Sequence, residues 1–171
     1  MTTMSIAGRF RKAWMCVTVL VAALGFGLSG ILLPQAGWGA TTERVVSDPA
    51  SGLAISGFDP VGYFTDAAAK FGRPDIEERY AGAVWRFRNA GNRAAFVAHP
   101  AVYMPQFGGY DPVGIAAGKS VAGHPLHWAI KDQRLYLFYD AQTRAAFLAD
   151  TARILGDAER RWPAVEKTLT P

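Results

Sequence analysis

LHWAIKDQRLYLFY, residues 126–139, decides the fold class. Leu126, Trp128 and Ile130 alternate with His127, Ala129 and Lys131, the polar Asp132 and Gln133 interrupt, and an apolar run returns from Leu135 to Tyr139. Period-two alternation on either side of a polar dipeptide predicts a β-hairpin. It also predicts that Leu126, Trp128 and Ile130 face the core and that His127 points to solvent. Downstream, Phe147, Ile154, Ala158 and Trp162 recur near the helical period, so an amphipathic helix is expected, with Gly156 interrupting it and Pro163 restarting the chain. Upstream, Tyr80 to Phe87 reads as a second hairpin. Ala81 and Gly82 lie near its turn, Trp85 and Phe87 share one face, and Arg86 and Arg88 take the other. Asn89 is placed to cap a helix reaching about His99, with Phe96 and Val97 inward and Pro100 ending it. Residues 67–78 mix glycine, proline and charge and read as a surface connection, and Leu53 to Ile55 as a short strand. Strands followed by helices without βαβ alternation predict an α+β fold. The expected architecture is a small single domain of antiparallel hairpins, short Asp-Pro-capped helices and a C-terminal amphipathic helix.

Two Asp-Pro pairs punctuate the chain. In each, the carboxylate can accept from free helix-start amides and the proline supplies a helical φ where no donor is needed. Asp59-Pro60 opens one or two turns through Phe64, and Asp111-Pro112 opens a helix to Ala117 stopped by Gly118. Gly57 to Gly62 echoes Gly109 to Gly114, with five of six residues identical. Because each residue type in the echo has a capping reason, it reads as a repeated helix-start device rather than a duplicated unit. As simple caps, Asp59 and Asp111 should tolerate asparagine and lose about 0.5–2 kcal/mol on replacement by alanine.

The N-terminus carries Arg9, Arg11 and Lys12 with no acid, followed by an apolar run from Ala13 to Leu33 and then Pro34. This is the layout of a signal peptide spanning residues 1–39, with Gly37-Trp38-Gly39 as the cleavage site before Ala40; the alternative is an uncleaved anchor. Either way the domain is extracytoplasmic, with the periplasm the expected compartment. Of 18 Lys and Arg the leader takes three, which leaves 15 against 14 acidic residues, so the basic balance belongs to the leader and nucleic acid is not an expected partner. The single cysteine, Cys16, also lies in the leader, so the 132 residues that follow Gly39 contain no thiol and must be held by an apolar core. A short polar lead covers 40–52, the domain 53–165 and a tail 166–171.

The stretches ISGFDPVGYF, YAGAVWRFRNAGNRAAF, HPAVYMPQFGGY, WAIKDQRLYLFY and RRWPAV, in this order across residues 53–165, resemble the YHS-domain family, in its longer exported bacterial members. The resemblance implies a compact domain of small antiparallel sheets and short helices, and a link to metal handling. Where family members commonly follow Gly-Gly-Tyr with cysteine, this chain has Asp111, a hard carboxylate in place of a soft thiolate.

Two sets of residues are candidate sites. His124 and His127, with His99 and Met104, offer imidazole and thioether donors suited to a divalent ion such as copper(II) or zinc. The extended geometry that Pro125 imposes is expected to hold the two rings apart. Tyr103, Phe107, Gly108, Gly109, Tyr110 and Asp111 form an aromatic and glycine-rich loop that would either line a small-ligand pocket or be core. No Gly-x-Ser-x-Gly, His-Glu-x-x-His or phosphate-binding glycine loop is present. The expectation is a non-catalytic binding or accessory module linked to metal homeostasis, with a small ligand or an envelope protein as partner. The alternatives are a small pocket enzyme using Asp111 with a nearby His or Tyr, and a structural subunit of a membrane complex if the leader is retained.

Overall fold

The computed structural model describes residues 43–170; the leader, its cleavage site and Cys16 lie outside them. Short α1 (Gly62–Thr65) precedes the hairpin β1 (Arg73–Tyr80) and β2 (Ala83–Phe87), and then come α2 (Ala90–Ala98) and α3 (Pro100–Tyr103). The order then recurs: α4 (Pro112–Ala116), the hairpin β3 (His124–Lys131) and β4 (Arg134–Phe138), α5 (Ala141–Ala149) and α6 (Thr151–Glu166). The fold is α+β, with two separate two-stranded antiparallel sheets.

The two runs are copies of one another. In each hairpin the turn is two residues with positive φ, Ala81-Gly82 in the first and Asp132-Gln133 in the second, as the primed hairpin turns require. In each, the first strand then bulges: β1 advances from Arg73 to Glu77 while β2 moves only from Phe87 to Arg86, and β3 advances from His124 to Trp128 while β4 moves from Phe138 to Leu137. Gly72 donates to the Gly57 carbonyl as Gly123 does to that of Gly109, both at 2.9 Å. Arg93 Nε reaches the Glu77 carbonyl at 3.0 Å, and Arg144 Nε the Trp128 carbonyl at 2.7 Å. With this geometry in hand the sequence aligns on itself: Ala90, Arg93–Phe96 and Ala98 match Ala141, Arg144–Phe147 and Ala149. The echo around Asp59 and Asp111 is therefore part of a duplicated unit, which corrects the local reading. Capping chemistry accounted for the six residues that are alike; the remainder of the repeat is carried by hydrogen bonds and burial that tolerate different side chains.

The bulges overturn the simple alternation. Leu126 is 58% exposed and Ile130 37%, whereas Pro125 and Ala129 are buried and Trp128 is half-buried. Extra residues on one strand re-aim every side chain beyond them. Residues 73–78, expected in a surface connection, are strand, because they pair with β2 and carry ion pairs such as Arg86–Glu77 at 2.8 Å. Leu53 to Ile55 is not a strand but two isolated bridges, Leu53 to Val84 and Ala54 to Ser47, running into a tight turn at Ile55–Gly57. In α2 Phe96 is buried as expected, but Val97 is 54% exposed. The C-terminal helix breaks at Asp150 (φ −146°), the counterpart of His99 (φ −142°), rather than at Gly156 or Pro163. Pro163 stays inside α6, where Trp162, Val165 and Leu169 anchor the following turn in the core.

Three apolar clusters fill the interior. The first joins Tyr63, Trp85, Phe87 and Phe96 with Leu135 and Leu137 of the second unit, so the two units share one core. The second gathers Tyr110, Ile115, Ala158, Val165 and Leu169, and the third Phe138, Phe147 and Ile154. Glu43 and Arg44 close the molecule by bridging to Thr170, with Arg44 N–H donating to its carbonyl at 2.8 Å.

Candidate functional site

Two buried carboxylates hold each unit together. Asp59 accepts from Val61 N–H (2.9 Å) with Oδ1, and from Arg88 N–H (2.8 Å) and the Asn92 side-chain amide (2.6 Å) with Oδ2. Asp111 repeats this with Val113 N–H at 2.8 Å and Tyr139 N–H at 3.1 Å. Asp111 caps the start of α4, Asp59 closes the turn that leads into α1, and each ties its segment to the residue that follows the hairpin. Both are essentially unexposed, and both oxygens of each are engaged by the fold. Tyr63, buried beside Asp59, donates to the Pro125 carbonyl at 3.0 Å. Burial, and then the charge of Asp59, push its phenol far above the ordinary range, so it remains a donor.

The aromatic and glycine-rich loop is packed into the interior. Tyr110 is fully buried and gives its hydroxyl to the Glu43 carbonyl at 2.6 Å. Phe107 lies edge-on to Trp162 at 5.6 Å between ring centroids, and Tyr103 edge-on to Phe64 at 5.4 Å. Gly108 (φ +62°) has the Arg44 carbonyl oxygen 1.8 Å from where a Cβ would stand, and Gly109 is buried beside Val46.

The histidines lie elsewhere. The bulge brings the His124 and His127 rings to 5.4 Å between centroids, closer than an extended His-Pro-Leu-His segment would allow. His124 Nδ1 accepts from Leu126 N–H at 3.2 Å, which places the neutral ring's proton on Nε2. A metal-bound imidazole instead donates its second nitrogen to an acceptor. Asp140, the nearest carboxylate in sequence beyond β4, is engaged in capping α5: the Thr143 amide holds its pKa below the ordinary range, with His127 the smallest of the contributions. His99 is exposed at the α2–α3 junction, and Met104 packs against the first core cluster. Among the described residues, no three of His, Cys, Asp and Glu converge as a metal site. The donor set does not fit a metal centre.

An apolar-walled feature that can hold a ligand is a cleft of about 290 Å³ formed by residues 46–49, the Ile55–Ser56 turn and residues 122–125; a more open hollow of about 310 Å³ lies between Gly118, Ser120 and Arg161. Ile55 (φ 43°) and Ser56 (φ 54°), the first two of three consecutive left-handed residues ending at Gly57 (φ 79°), form one wall. The opposite wall is fixed because Gly123, hydrogen-bonded to Gly109, runs so close to β4 that a Cβ would fall 2.6 Å from that of Leu137. The rim is a turn closed by Asp48, whose Oδ1 accepts from Ala50 N–H, Ser51 N–H and the Ser51 hydroxyl. The Ser51 hydroxyl, followed by its amide, holds the Asp48 carboxyl below its ordinary pKa. Val46, Pro49, Ile55, Ala122 and Pro125 make the lining mainly apolar. Among the residues singled out from sequence only His124 lines it. Asp48 belongs to no motif, and Ser56, though inside ISGFDPVGYF, was not singled out; the one signal in its favour is a non-glycine residue where the second unit has Gly108.

Among the described residues no helix is long and apolar enough to cross a membrane. The chain matches no known family model, no curated protein and no solved structure.

Proposed function

We propose that this chain is an exported, YHS-like, non-catalytic module that binds a small molecule in the cleft between its N-terminal segment and the start of β3. The observation that carries this reading is Ser56. It holds a side chain in left-handed backbone, a conformation that disfavours L-residues by about 1–2 kcal/mol, where the duplicate of the same turn uses glycine. Among the described residues the exposed Ser56 hydroxyl makes no hydrogen bond, so the fold gains nothing evident from it. Strain retained at the edge of an apolar cleft supports a binding surface there. The buried carboxylates support a non-catalytic role, since their oxygens are taken up by main-chain amides. A connection with metal homeostasis rests on the family resemblance, and the donor set adds nothing to it.

Native mass spectrometry of the domain purified from its own cell envelope tests the proposal. An organic mass bound to the intact protein, and lost when Ala122→Trp fills the cleft, is the expected result. A folded protein that carries only a metal ion, or nothing across several preparations, would overturn it.

A further inference from the structure

Resting on the reading of this cleft as a ligand site, we infer that its ligand class is a small organic cation: one protonated or quaternary amine on an apolar body of about a dozen non-hydrogen atoms. Size comes from the volume. An apolar cavity of about 150 Å³ takes benzene, so about 290 Å³ takes roughly twice that. The apolar body follows from the valine, isoleucine, alanine and proline walls. Charge follows from the rim. No Lys or Arg lines the cleft, and its one carboxylate is Asp48, kept ionised by the Ser51 hydroxyl and amide. Those bonds all fall on Oδ1, which leaves Oδ2 as an acceptor for an ammonium group.

The distribution of bonds at Asp48 makes a clean test available. Asparagine with its oxygen in the place of Oδ1 keeps the turn and removes only the charge. Isothermal titration at low ionic strength would compare tryptamine, the neutral 3-ethylindole and the anionic indole-3-propionate, three ligands with one body. Tryptamine is expected to bind about fivefold more tightly than 3-ethylindole, the upper range for an exposed ion pair. Indole-3-propionate should bind weakest. Asp48→Asn should abolish the preference while retaining affinity for 3-ethylindole. Ala122→Phe, which installs the residue that the first unit carries at the matching position (Phe71), should weaken all three by tenfold or more with the melting temperature held. Binding without an amine preference, or a preference that survives Asp48→Asn, overturns the cation assignment and leaves the cleft as a binding site. No binding of any of the three by folded protein overturns both.

Discussion

Replacing Asp59 by asparagine is expected to destabilise the domain by about 1–3 kcal/mol, close to the effect of alanine. An ordinary cap would tolerate the change, since asparagine and aspartate cap about equally well. Here both oxygens accept, Oδ1 from Val61 and Oδ2 from Arg88 and Asn92, so an amide nitrogen on either side would face a donor. A buried donor left without an acceptor loses its full desolvation penalty. Asp111→Asn should behave likewise through Val113 and Tyr139. Urea denaturation checks it: asparagine variants whose midpoints match the parent would show that one oxygen suffices. That Asp111 starts a helix and Asp59 the turn leading into one was legible from Asp-Pro alone. Their second bond was not, because Arg88 and Tyr139 lie about thirty residues away, on the far side of a hairpin.

At the scale of the element, the β3–β4 hairpin was visible from its alternation, yet Leu126 and Ile130 face solvent while Trp128 alone of that set packs against the core. A bulge adds residues to one strand without changing the sequence pattern, so periodicity alone does not reveal it. The exposure of Leu126 and the burial of Ala129 have a measurable consequence. Leu126→Ser, at an exposed position, is expected to change stability by no more than about 0.5 kcal/mol. Ala129→Leu, at a position 7% exposed, should cost about 1–3 kcal/mol through overpacking. Thermal melts that rank the two in the opposite order would restore the simple alternation. The loop around Gly108 shows the same limit: aromatic and glycine-rich composition suits a pocket or a core, and only the passage of Arg44 over Gly108 makes it core.

For the whole molecule, duplication with a shared core implies interdependent halves. Leu135 and Leu137 of the second unit pack among Trp85, Phe87 and Phe96 of the first, and Tyr63 spans the seam to Pro125 and Trp128. Fragments 40–104 and 105–171 are therefore expected to be unfolded alone and to assemble when co-expressed, as read by near-ultraviolet circular dichroism. Leu137→Ala, which opens a cavity at the seam, should cost the intact chain about 2–5 kcal/mol. A first fragment that folds by itself would show that the units are independent. By itself the sequence determined the α+β class, the second hairpin, the turn and second strand of the first, the Asp-Pro turns and the reliance on an apolar core, because period, turn chemistry and capping are local properties. Only the tertiary structure decided the strand faces, the cross-bracing by Asp59 and Asp111, the extent of the duplication and the cleft. Each of these depends on residues distant in the chain meeting in space: Arg44 with Gly108, Arg88 with Asp59, and residues 122–125 with the Ile55–Ser56 turn.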